Sequence, residues 1–199
     1  MNQATTQAPP KSQFDLLTSV TSNIKAMNWQ FQINNNAASS DMVSGTIYWM
    51  AVYLTTPQTI TGAYVPINRA GNYTASNNNR IGLYKTNGTT LTLVASNADT
   101  PAMWTTTSSS MLTQAFTAAY SAPSGLYYMA YLWNSSVTIT APRAVTQTMN
   151  GAFVDIGLIG SNIRIGTTAG QTNLPSTQDI SGISHSGGSG QIVPWVGIY

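Results

Sequence analysis

The chain has 199 residues with a formal charge of +2, and only 6% of them are charged, against about 25% in an ordinary soluble domain. Glu does not occur, while Thr, Ser, Asn and Gln make up about 39% of the chain and hydrophobic residues 42%, so hydroxyls and amides wet the surface and charge-driven disorder is excluded. No apolar run approaches the ~20 residues of a bilayer span, seven scattered basic residues neutralise few phosphates, and sheet formers outweigh helix formers.

In chain order, MNQATTQAPPK is polar and Pro-containing and reads as an arm. It has neither the charged nor the apolar region of a secretory signal, and with no Cys in the chain folding in a reducing cytoplasm is expected. Residues 1–40 are assigned to this arm and the first strand or strands, an assembly or anchoring contact, and 41–199 to one domain. Turn signals then recur about every ten residues: Asn34–Asn36, Thr55-Thr56-Pro57, Asn77–Asn79, Asn87-Gly88 and Ala122-Pro123-Ser124-Gly125. Short β-branched and aromatic runs at that spacing predict an all-β antiparallel sandwich.

Ile47–Leu54 and Leu126–Trp133 are apolar throughout, as central strands covered on both faces would be. The segment Arg80–Ala95 contains Asn87-Gly88, which predicts a hairpin with a two-residue type I′ turn. That register sets Thr86 against Thr89, Tyr84 against Leu91 and Gly82 against Leu93. Tyr84, Leu91 and Leu93 then share one face, and Ile81, Leu83 and Val94 the other. Both faces are partly apolar, so the hairpin is expected to be covered on both sides. Met111–Ala119 admits a helix, although Thr113–Tyr120 also alternates at period two and the strand template is preferred. Towards the C-terminus, Phe153–Ile156, Ile163–Ile165 and Ile192–Tyr199 read as strands, separated by a Gly/Ser/Thr loop that is richest in Gly and Ser at Ser184–Gly190.

Motifs for chemistry are sparse. The single histidine, His185, lies in SHSGGSG, a poor seat for the rigid general base of a triad. The five acids are Asp15, Asp41, Asp99, Asp155 and Asp179; nothing in their spacing pairs two of them for glycoside hydrolysis, and turn or cap roles are expected. One His and no Cys leave no thiolate or imidazole metal site. Asn97-Ala98-Asp99 is a compact oxygen-rich pair for calcium, with an Asx-turn the preferred reading. No catalytic, metal or cofactor-binding residues are assigned, and no cofactor is expected. Trp104 stands in a polar stretch, TPAMWTTTSSS. Exposed beside Asn97 and Asp99, it would make a sugar-stacking platform, giving Asn97, Asp99 and Trp104 as candidate ligand-binding residues. The preference of large aromatics for burial favours a ring folded back on the sandwich edge.

The stretch YTASNNNRIGLYKTNGTTLTLVASNADTPAMW, Tyr73–Trp104, resembles a segment of virion proteins of tailed bacteriophages: fibre, tail-tip and head-decoration proteins. AYSAPSGLYYMAYLW, Ala119–Trp133, resembles their following strand, and Leu174-Pro175 with Pro194–Tyr199 their closing one, so the likeness covers about Gly45–Tyr199. It implies a jelly-roll-like sandwich carried on the virion, assembled in the host cytoplasm, in a homo-oligomer for which a trimer is favoured, with no catalytic residues to carry over. Fibres often have long repetitive shafts, whereas about forty residues precede the match here. That departure implies a short subunit anchored to other capsid or tail proteins by its N-terminal arm. The expected function is accordingly a non-enzymatic structural virion protein: head decoration, short fibre or tail appendage. The competing expectation is a carbohydrate-binding module that recognises a host surface glycan through Asn97, Asp99 and Trp104. An enzyme such as a polysaccharide depolymerase ranks last, for want of acid–base pairs.

Overall fold

The computed structural model describes residues 23–28, 38–105, 109–150, 163–185 and 189–199. Its strands in chain order are β1 (Ala26–Met27), β2 (Ala38–Asp41), β3 (Thr46–Leu54), β4 (Gln58–Arg69), β5 (Asn72–Ala75), β6 (Arg80–Thr86), β7 (Thr90–Ser96), β8 (Ser110–Ala122), β9 (Gly125–Trp133), β10 (Ser135–Thr140), β11 (Arg143–Asn150), β12 (Ile165–Thr168), β13 (Thr177–Asp179), β14 (Ser184–His185), β15 (Ser189–Pro194) and β16 (Gly197–Ile198). The protein is an all-β antiparallel sandwich. One sheet runs β1-β16-β4-β11-β15, with β2 added on β11 and β8 on β4. The other runs β13-β7-β6-β9-β3-β12-β14, and β5 and β10 form a separate two-stranded ribbon. Among the described residues no helix is long and apolar enough to cross a membrane. The expected arm over the first eleven residues and the strand over Phe153–Ile156 lie outside the described residues.

The two unbroken apolar runs are the centre of the second sheet. They pair in register from Thr46 opposite Trp133 to Leu54 opposite Gly125. Their inward residues, Met50, Val52, Leu54, Tyr127, Met129, Tyr131 and Trp133, meet Ile60, Ala63, Val65 and Ile67 of β4 and Leu112 and Phe116 of β8 in the core between the sheets. Their outward residues, Ile47, Trp49, Ala51, Tyr128, Ala130 and Leu132, form a second buried cluster with Ile163, Leu174, Ile180 and Ile183. The chain from Ile163 to Ile183 supplies that cover. It leaves the sheet at β12 on one edge, reaches β13 on the opposite edge, and returns to β14 beside β12. A strand between two apolar layers buries nearly every side chain, here with Tyr53 near the end of β3 exposed, so its sequence loses the alternation of a half-exposed strand.

Around Asn87-Gly88 the hairpin forms two residues out of the expected register, with Thr86 opposite Leu91 and Tyr84 opposite Leu93; a bulge between Leu83 and Tyr84 then sets Leu83 opposite Ala95 and Gly82 opposite Ser96 rather than Leu93. Only Gly88 takes a positive φ, of 100°, so the turn is not type I′. The Asn87 side chain closes it instead, its Oδ1 accepting the N–H groups of Thr89 at 3.0 Å and Thr90 at 2.8 Å. Asn87 N–H donates to Thr90 O, which makes a four-residue loop. A shift of two preserves side-chain parity. Tyr84, Leu91 and Leu93 therefore still share the outer cluster; past the bulge, Ile81 and Leu83 are in the inner cluster and both Val94 and Ala95 pack against it. Met111–Ala119 is strand throughout, within β8; Leu112, Phe116 and Ala122 are its buried residues.

Candidate functional site

The loops at one end of the sandwich converge on three buried asparagines, Asn79, Asn97 and Asn134. Each has a carboxamide that can donate and accept at once, and each satisfies backbone that leaves a strand. Asn79 Nδ2 donates to Asn134 O at 3.1 Å, and Asn134 N–H donates to Asn79 Oδ1 at 2.9 Å. Asn134 Nδ2 reaches Asn78 O at 2.8 Å. Asn97 Oδ1 accepts Ile81 N–H at 2.7 Å, and its Nδ2 donates to Thr100 Oγ1 at 3.2 Å. Arg80 closes the cluster: Nε and Nη2 donate to Asn97 O, Nη2 to Ser96 Oγ and Nη1 to Asn173 Oδ1.

The three candidate ligand residues meet at this end in different roles. Asn97 is 1% exposed and wholly engaged in the loop network. Asp99 lies at the surface, its Oδ1 accepting Asn79 N–H at 2.8 Å. Trp104 is 0% exposed. It sits on a single 3-10 turn, Met103–Thr105, donates Nε1–H to Leu132 O at 3.2 Å, and packs its ring 5.4 Å from that of Tyr131. Contrary to the sugar-platform reading, the indole presents no face to solvent: the turn after Thr100 folds it under the loops, where a β9 carbonyl receives its N–H. Among the described residues no group of three His, Asp, Glu or Cys could hold a metal ion.

Two features went unread in the sequence. The first is a charge knot. Asp41 Oδ1 accepts from Arg69 Nη2 at 2.8 Å and Arg143 Nε at 2.6 Å, and Arg143 stands opposite both Asp41 and Arg69 across β2, β11 and β4. The Arg143 hydrogen bond, helped by Arg69, holds the Asp41 carboxyl below its usual range against some desolvation. A signal existed in the composition, since five acids leave each one a strong attractor for guanidinium. The second is the β5–β10 ribbon. It carries no charged residue and exposes Val137 at 58% and Ile139 at 74%. Ser44 Oγ, which follows the exposed Val43, accepts Ser135 N–H at 2.9 Å, so Val43 adjoins the same ribbon. Alternation in SSVTIT was the available signal, but not which side would find cover.

A scan against models of protein families finds no match for this chain, and a search of curated proteins finds none.

Proposed function

We propose that this chain is a non-enzymatic structural virion protein of a tailed bacteriophage, a head-decoration, short-fibre or tail-appendage subunit that assembles with copies of itself and with neighbouring virion proteins. The observation that carries the reading is the uncharged β5–β10 ribbon with Val137 and Ile139 outward. Strand edges left open are normally guarded by charge, proline or a covering element, because their free N–H and C=O groups template further pairing. Here β10 pairs only with β5 among the described residues, and neither strand has a guarding charge. A surface of hydroxyls and amides with apolar residues on an edge suits side-by-side packing. The described acids also have structural partners: Asp41 binds two arginines, Asp99 caps Asn79, and Asp179 accepts the Thr90 hydroxyl. The resemblance of Tyr73–Trp104 to virion proteins gives the setting, and favours a trimer.

Native mass spectrometry and light scattering test it. The full chain is expected to be a homo-oligomer at micromolar concentration and to bind phage particles that lack it, and Ile139→Lys is expected to weaken assembly with the fold intact by circular dichroism. A monomer that does not attach to particles would overturn the reading. An oligomer indifferent to Ile139→Lys would move the interface off the ribbon.

A further inference from the structure

Between the two sheets, beneath Asp41, lies a cavity of about 50 Å³ lined by Ser40, Asp41, Tyr48, Tyr131, Thr146 and their apolar neighbours. Two of its lining hydroxyls are orphans. Tyr131 is 0% exposed and Thr146 1% exposed, and neither Tyr131 Oη nor Thr146 Oγ1 has a hydrogen-bond partner in the protein. Buried hydroxyls without partners are rare, because each forfeits its bonds to water with nothing in return. Tyr48 Oη accepts Val43 N–H at 2.9 Å, and its ring lies 5.2 Å from that of Tyr131. Tyr48 also lines the cavity, and its hydroxyl proton is not spent on that bond.

We propose that this cavity is a built water site, in which one or a few ordered waters bridge Tyr131 Oη and Thr146 Oγ1, with Tyr48 as a further partner. The volume is right for that ligand: a water needs roughly 10–15 Å³ of such space and two to four polar partners. The chemistry excludes the main competitor, a cation. Asp41 is the only acid in the lining, and two guanidiniums already share its Oδ1, so the local charge is positive rather than negative. Three hydroxyls that both donate and accept match a neutral molecule that does the same. Ser40 and Asp41 are not fully buried, so the site lies close to the surface.

A crystal structure of the full chain at a resolution that defines solvent decides it. The expected result is a solvent peak within about 2.6–3.2 Å of both hydroxyls; an empty cavity, or a water on one hydroxyl alone, overturns the proposal. Urea unfolding of Tyr131→Phe, Thr146→Val and the double variant gives a second reading. Each single change is expected to lower the folding equilibrium constant by about five- to tenfold. The double variant is expected to fall short of the product of the two, because the first change already costs the shared water a partner. Stabilisation by either substitution, or factors that simply multiply, would mean two unlinked orphan hydroxyls and would overturn the bridge.

Discussion

The inner face of the sheet built on β3 and β9 meets another sheet, whereas its outer face meets a single length of chain. The inner face is closed by side-chain packing, much of it from Met, Val, Leu and Ile. Both faces carry polar-tipped aromatics, but on the outer face their polar atoms hold the covering segment. Tyr84 Oη donates to Pro175 O at 2.7 Å, Tyr128 Oη donates to Ile163 O at 2.7 Å and accepts Ile163 N–H at 3.1 Å, and Trp49 Nε1 donates to Thr168 Oγ1 at 2.9 Å. A facing sheet satisfies its own backbone through its ladders; an irregular segment has to find partners elsewhere. The outer face therefore needs residues that are apolar in the body and polar at the tip. It also needs close approach. A Cβ on Gly166 would lie 2.5 Å from Ile183 Cγ2 and 2.9 Å from Ser184 O, and one on Gly82 would lie 2.9 Å from Leu174 Cδ1.

Alkaline pH tests both faces at once and has the largest expected effect. Burial raises the ionisation of Tyr131 on the inner face well above the ordinary tyrosine value, raises that of Tyr84 on the outer face too, and pushes Tyr73 up to about 12. In the unfolded chain these groups ionise near pH 10. From about pH 10 up to the folded values the unfolded chain holds fewer protons than the folded one, so stability is full below 10 and falls as pH rises through that window. Tyrosinate absorbance and far-UV circular dichroism are expected to change together. Ionisation of all ten tyrosines near pH 10 with the sheets intact would show that neither face is sealed.

Trp104→Ala addresses the inner face alone. It opens a large void beside Tyr131 and leaves Leu132 O without its indole donor, with an expected loss of about 3–5 kcal/mol in chemical denaturation. Tyr128→Phe addresses the outer face alone. It keeps the ring and strips both bonds from buried Ile163, an expected loss of about 1–3 kcal/mol. Hydrogen exchange distinguishes the two. Trp104→Ala is expected to weaken protection in both sheets, while Tyr128→Phe weakens it chiefly over residues 163–183. Equal loss in β3 and β9 with Tyr128→Phe would show that the cover and the sheet form one cooperative unit.

How much of this was legible follows from how far apart the partners lie. Ile47–Leu54 and Leu126–Trp133 were readable as central strands because burial on both faces is written locally, in eight consecutive apolar residues. The faces of the Asn87-Gly88 hairpin were readable for the same reason. Its register was not, since the Asn87 carboxamide competes with backbone for Thr89 and Thr90 and a two-residue slip leaves the apolar pattern unchanged. Asn97 looked like a surface turn residue because the backbone it serves, at Ile81, lies 16 residues away. That Trp104 folds back was legible from the preference of large aromatics for burial, but its polar sequence neighbours gave no sign of the β9 carbonyl that receives it.

The smallest expected effect belongs to Asp41→Asn, at the end of β2 beside the cavity. Asp41, Arg69 and Arg143 are each a third to a half exposed, and ion pairs so placed contribute little to stability. The sign is nonetheless fixed. With its folded ionisation held low by Arg143 and Arg69, Asp41 stabilises the fold above the unfolded value of about 3.9. That contribution fades as pH falls below it, through the lower folded value. Asp41→Asn is therefore expected to lower the melting temperature slightly at pH 7, and more at low salt than at high salt because exposed charges are screened. The difference from wild type should vanish once pH has fallen below the folded value. Two arginines left facing each other across β11 and β4 are the alternative source of any loss. Asp41→Asn combined with Arg69→Gln removes that repulsion: recovery of the melting temperature would assign the effect to the unpaired charge, and no recovery would assign it to the lost bonds of Asp41.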